Sequence, residues 1–156
     1  MKLARIAVFG LAIGLFGWAT FLHWEAAWYR GKIPAGIEVG RALHIRSESD
    51  IREGCGAAVF QLSPAAAEQF RSRVSQHREP PDGYSKWEET PYLSTGDGLS
   101  TRDSWMNGLP CASMPSELNR VVSDALISPG AYYAQTHEAT VIVIPIHGLV
   151  VFSFYG

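Results

Sequence analysis

An apolar run from Ile6 to Leu22, preceded by Lys2 and Arg5 and interrupted only by glycines and Thr20, decides more about this chain than any other stretch of it. As a helix, its seventeen residues rise roughly 25 Å, and the flanking His23, Trp24, Ala26, Ala27 and Trp28 extend it to the roughly 30 Å of a bilayer core. Trp18, Trp24, Trp28 and Tyr29 crowd its C-terminal end, where amphipathic rings favour the headgroup region. The basic start predicts an N-terminus held in the cytoplasm, although Arg30 and Lys32 on the far side reduce the charge asymmetry. Residues 1–30 are therefore read as a signal-anchor transmembrane helix with its interfacial flank.

The rival reading is a cleaved export peptide. Gly17-Trp18-Ala19 is the one passable small-x-small site, but cleavage there puts a bulky Trp inside the site and leaves Thr20-Phe21-Leu22-His23-Trp24 as an apolar new terminus. An uncleaved anchor is the expectation, with a freely secreted binding or inhibitor domain as the alternative. Both place the rest of the chain outside the cytoplasm, periplasmic in a Gram-negative cell. Gly10 and Gly14 form a G-x-x-x-G pair, with Gly17 one turn further, and such spacing lets two membrane helices approach closely. A homodimer through this helix is thus a candidate assembly.

The remainder has the composition of an ordinary folded domain. Of the 156 residues, 47% are apolar and 18% charged, which argues against disorder, and 13 basic against 15 acidic side chains remove the surface excess that nucleic acid requires. Cys55 and Cys111 are too far apart for a redox C-x-x-C and too few for a zinc site of their own. In an exported domain an even count points to a disulfide, the alternative being two unrelated buried thiols.

Residues 31–40, with three glycines and a proline, read as a linker, which leaves 41–156 as the folded part. Ala42 to Ser47 alternates, with Leu43 and Ile45 on one side and His44 and Arg46 on the other, as a half-buried strand does. Cys55 to Leu62 suits a central strand. Ser63-Pro64 reads as a helix start, the helix continuing to about Gln76 with Ala67, Phe70 and Val74 on its buried face. A second helix fits Pro115 to Ile127, where Leu118, Val121, Val122, Ala125 and Leu126 paint one apolar stripe. Ala131 to Gln135, Thr140 to Ile144 and Leu149 to Tyr155 are three strands joined by hairpin turns. The expected fold is α+β: an N-terminal transmembrane helix followed by an antiparallel sheet of about four or five strands. Two helices are expected to cover one side of that sheet.

Tyr84 to Ser113 shows no sustained period but carries Trp87, Tyr92 and Trp105, which are the candidate partner-binding aromatics. The chain carries no complete catalytic, metal or nucleotide motif. His137-Glu138 opens like a zinc-protease helix, but position 141 is Val, and Gly54-Cys55-Gly56 runs into a strand rather than a helix. No cofactor or metal is implied. Paired carboxylates such as Glu88 with Glu89, or Asp97 with Asp103, are of the kind that acid–base work on glycans uses. The expectation is a membrane-anchored, noncatalytic interaction or assembly module whose partner is another envelope protein, the alternative being an envelope hydrolase.

Overall fold

The computed structural model describes residues 2–49, 54–72, 83–91 and 108–156, with the side chains of 2–8 and 49 excepted. The chain forms two compact units, divided after Lys32. The first is a single helix, α1 (Lys2–Arg30). Among the described residues no helix is long and apolar enough to cross a membrane. Ile6, Ala7 and Val8, where the expected span starts, lie outside the described side chains. Past the helix end the Gly31 amide donates to the Ala27 carbonyl at 3.0 Å, and Lys32 Nζ lies 4.7 Å from the centre of the Trp28 ring, a cation–π contact.

The second unit, from Ile33 to Gly156, is an α+β domain. Its strands are β1 (Val39–Ser49), β2 (Gly54–Leu62), β3 (Glu88–Glu89), β4 (Tyr132–Gln135), β5 (Ala139–Ile144) and β6 (Leu149–Tyr155). They form one antiparallel sheet in the order β1-β2-β6-β5-β4-β3, so the sheet has six strands among the described residues rather than four or five. The extra member is the two-residue edge strand β3, inside the segment that lacks a period in sequence. β1 begins at Val39, three residues before the expected start, and its register shifts on either side of Ala42. That irregularity interrupts the simple alternation: Leu43 is left 41% exposed, and His44 turns to a partner described below.

Two helices accompany the sheet, α2 (Pro64–Arg71) and α3 (Ser116–Ile127), with a short 3-10 turn at Pro110–Ala112. α2 starts as its residues dictate: the Ser63 hydroxyl accepts the Ala66 amide at 3.1 Å, and Pro64 fills the first position, where no donor is needed. It ends at Arg71, short of the expected Gln76, because Ser72 leaves helical geometry at ψ 10°; Val74 and Gln76 lie outside the described residues. α3 forms where its stripe predicts, with Val122 and Leu126 buried and Leu118, Val121 and Ala125 packed beside them.

The helices do not share a side of the sheet, as expected from sequence, but take opposite sides. Strand alternation sorts the core into two faces. Ala57, Val59, Tyr133, Ile142, Ile144 and Val151 lie under α3 and the 3-10 turn in one continuous cluster with Val122, Leu126, Leu109 and Ala112. Phe60, Val150, Val143 and Tyr132 fall in cross-strand register on the other face. There Phe70 of α2 packs on Tyr132, ring centres 5.6 Å apart. This explains the run Val141-Ile142-Val143-Ile144, apolar at every position: both faces of β5 are covered and all four residues are fully buried.

Candidate functional site

Cys55 and Cys111 form a disulfide, with an S–S distance of 2.00 Å and Cα atoms 5.9 Å apart. It ties the 3-10 turn to the start of β2. The same turn is held from β1 by His44, whose Nε2–H donates to the Ala112 carbonyl at 2.7 Å. Gly108 approaches the sheet so closely that an added Cβ would overlap the carbonyls of Gly56 and Phe154, and a Cβ on Gly56 would come 2.7 Å from the Arg46 carbonyl. The Gly-Cys-Gly of β2 is therefore a place of close backbone approach, not a fragment of a nucleotide loop.

The aromatic candidates separate. Trp87 is half-buried and meets Phe70 edge-on at 5.3 Å, at the border of the α2 face; Tyr92 and Trp105 lie outside the described residues. The buried Trp87 Nε1 has no hydrogen-bond partner among the described residues. Nearby, burial pushes the Tyr84 phenol above its ordinary pKa. Gly10, Gly14 and Gly17 sit on α1 and, the helix's own local backbone aside, no atom of the described residues lies within 4 Å of a Cβ built on any of them.

Of the four candidate carboxylates, Glu88 and Glu89 lie among the described residues. Glu88 and Glu89 are adjacent on β3 and so address opposite faces of the sheet, both exposed, and Glu88 Oε2 accepts from the Tyr133 hydroxyl at 2.7 Å. Asp97 and Asp103 lie outside the described residues, as does His77. His137 and His147 are exposed in hairpin turns. Among the described residues no three His, Cys, Asp or Glu side chains gather as metal ligands would.

A groove that the sequence reading did not anticipate opens at one end of the sheet, with a volume of about 490 Å³. Arg41 and Leu43 reach it from β1, Arg71 from α2, and Ile146 and His147 from the β5–β6 turn. Its floor is apolar, from Leu62, Ala67 and Leu149. The turn exists because Gly148 takes φ 61° and returns its amide to the Pro145 carbonyl at 3.3 Å, which leaves Ile146 at the tip, 78% exposed. Among the described residues Arg71 is engaged through Nε, with the Ala67 carbonyl at 3.4 Å and Glu68 at 3.5 Å, and Arg41 forms no ion pair. The described lining contains two guanidiniums and an imidazole but no carboxylate, thiol or hydroxyl. Such a lining suits retention of an anion; it has no nucleophile for His147 to activate. One sequence signal could have located it: an isoleucine in a Pro-Ile-His-Gly turn, a position where burial is not available.

No protein-family model matches the chain, and neither the search of curated proteins nor that of solved structures returns a match.

Proposed function

We propose that this chain is a single-pass membrane-anchored protein whose domain lies outside the cytoplasm, periplasmic in a Gram-negative cell, and acts as a noncatalytic interaction or assembly module of the envelope. The observation that carries the reading is the Cys55–Cys111 disulfide, downstream of an apolar run that starts behind Lys2 and Arg5. Disulfides of this kind persist in oxidising compartments, and a run of that length is what delivers a chain to one. Exposed apolar side chains along α1, among them Phe9, Ile13, Phe16 and Trp18, fit a helix whose solvent is lipid. The open face at Gly10, Gly14 and Gly17 suits pairing with a second copy. A partner protein of the envelope would be met by the aromatic segment that contains Trp87, Tyr92 and Trp105.

Fractionation followed by non-reducing intact-mass spectrometry tests the reading. The expected species is full length, recovered with membranes and two mass units lighter than the dithiol. A soluble species lacking the N-terminal residues would make it a secreted factor. Free thiols on a full-length chain would remove the argument for export.

A further inference from the structure

We infer that the groove between β1, α2 and the β5–β6 turn binds the phosphate headgroup of an anionic phospholipid, so that the domain docks on the bilayer that anchors it. This rests on the anchoring reading above. The charge of the described lining is of the right sign: Arg41 and Arg71 line the groove with His147 and no acid, while Glu68 meets Nε of Arg71 from outside the lining and Glu38 lines the adjoining recess beside Gly40. The guanidinium fork matches phosphate oxygens, and both arginines are exposed at the rim. Beside the cations stand two exposed apolar side chains, Ile146 at 78% and Leu43, partly covered, at 41%. A free inorganic anion would satisfy the arginines and leave both in water. A lipid headgroup region satisfies both kinds of group at once, as it does for basic surfaces with apolar side chains at their edge.

The position in the fold agrees. Val39 pairs with Leu62, the Ser63 amide donates to the Glu38 carbonyl at 3.0 Å, and the Leu62 amide donates to Gly148 at 2.8 Å. The chain thus enters the sheet at the end where the groove and the Ile146 turn lie, and only residues 33–38 precede β1 in this unit. Along the chain, this is the end tied most directly to the anchor.

The test uses the full chain in nanodiscs of phosphatidylcholine alone and of phosphatidylcholine mixed with phosphatidylglycerol, read by hydrogen exchange at Ile146, His147 and Gly148. In the anionic discs these amides should exchange about tenfold more slowly, and the Arg41→Gln/Arg71→Gln variant should lose that difference. Ile146→Ser should reduce it while leaving exchange elsewhere unchanged. Equal rates in the two lipids would overturn the inference. The same protection from inorganic phosphate in phosphatidylcholine discs would assign the groove to a soluble anion and overturn the lipid. A chain that fails to incorporate into either disc would refute the anchor itself, a separate failure from incorporation without lipid-dependent protection.

Discussion

The two faces of the sheet are covered by different means. Under α3 the core is mostly aliphatic, drawn from twelve buried residues among those described, and its cover is reinforced covalently by Cys55–Cys111 and by the His44 hydrogen bond. Under α2 the cover is a helix of only eight residues, and the burial comes from large rings: Phe60, Phe70, Tyr132 and Phe152 are all buried, with Trp87 at the border. A ring removes far more area from water than an alanine or valine, so a short helix suffices where aromatics face it. The staple is placed where the cover is a 3-10 turn of three residues, too short to hold itself by propensity.

The largest test of this contrast is the Cys55→Ser/Cys111→Ser variant. The bridge spans 56 positions, so its loss should cost on the order of 4 kcal/mol of a domain total of about 5 to 15 kcal/mol, read from urea midpoints. A loss below about 1 kcal/mol would mean that packing alone holds the α3 face. Next comes Phe70→Ala, expected to cost about 3 kcal/mol, near the low end for a buried phenylalanine because α2 can settle toward the sheet. Leu126→Ala on the opposite face should cost about 2 kcal/mol with the disulfide intact, and the reverse order would invert the comparison.

Smaller effects sharpen it. Thr90 joins β3 to the end of α3: its hydroxyl donates to the Ser128 carbonyl at 2.6 Å and accepts the Ala131 amide at 3.1 Å. Thr90→Val should cost about 1.5 kcal/mol in the same denaturation assay, because it strands that buried amide. Each face also holds one buried polar atom without a partner among the described residues, Ser153 Oγ under α3 and Trp87 Nε1 beside α2. Ser153→Ala should therefore lie within about 0.5 kcal/mol of wild type, or be slightly stabilising, and a clear loss would reveal a partner for that atom. Trp87→Phe also gives up ring area packed on Phe70, so it should cost about 1 kcal/mol.

The smallest effect is in alkali. Burial raises the Tyr84 phenol above 10.0, so the unfolded chain sheds this proton first as pH rises. Its contribution is complete below pH 10.0 and is lost as pH rises through the folded value. Urea midpoints of Tyr84→Phe should fall less steeply than wild type in that window.

Local features were legible in the residues because local chemistry sets them. Ser63-Pro64 starts α2, the 118–126 stripe builds α3, and the β6 limits at Leu149 and Tyr155 coincide with expectation. The alternation of Ala42 to Ser47 located β1 but not which side chains it buries, for a tertiary reason. The register shift around Ala42 leaves Leu43 exposed in the groove and sends His44 to Ala112. β3 was not legible either, since two glutamates carry no strand signal and pair only because β4 offers an edge. The groove escaped notice because its cations come from three elements and sequence spacing cannot bring Arg41, Arg71 and His147 together.

The sequence by itself determined the Ser63-Pro64 start of α2, the β4–β5–β6 hairpins and the apolar run behind two basic residues, and its two cysteines made a disulfide the expectation, because each depends on neighbours or on a count. Only the tertiary structure decided that α2 and α3 take opposite faces and that β2 lies between β1 and β6. It also left two arginines and an uncovered isoleucine at one end of the sheet. The physical reason is that β5 is apolar on both sides: such a strand requires cover on two faces, but which helix supplies each depends on contacts between residues far apart in the chain.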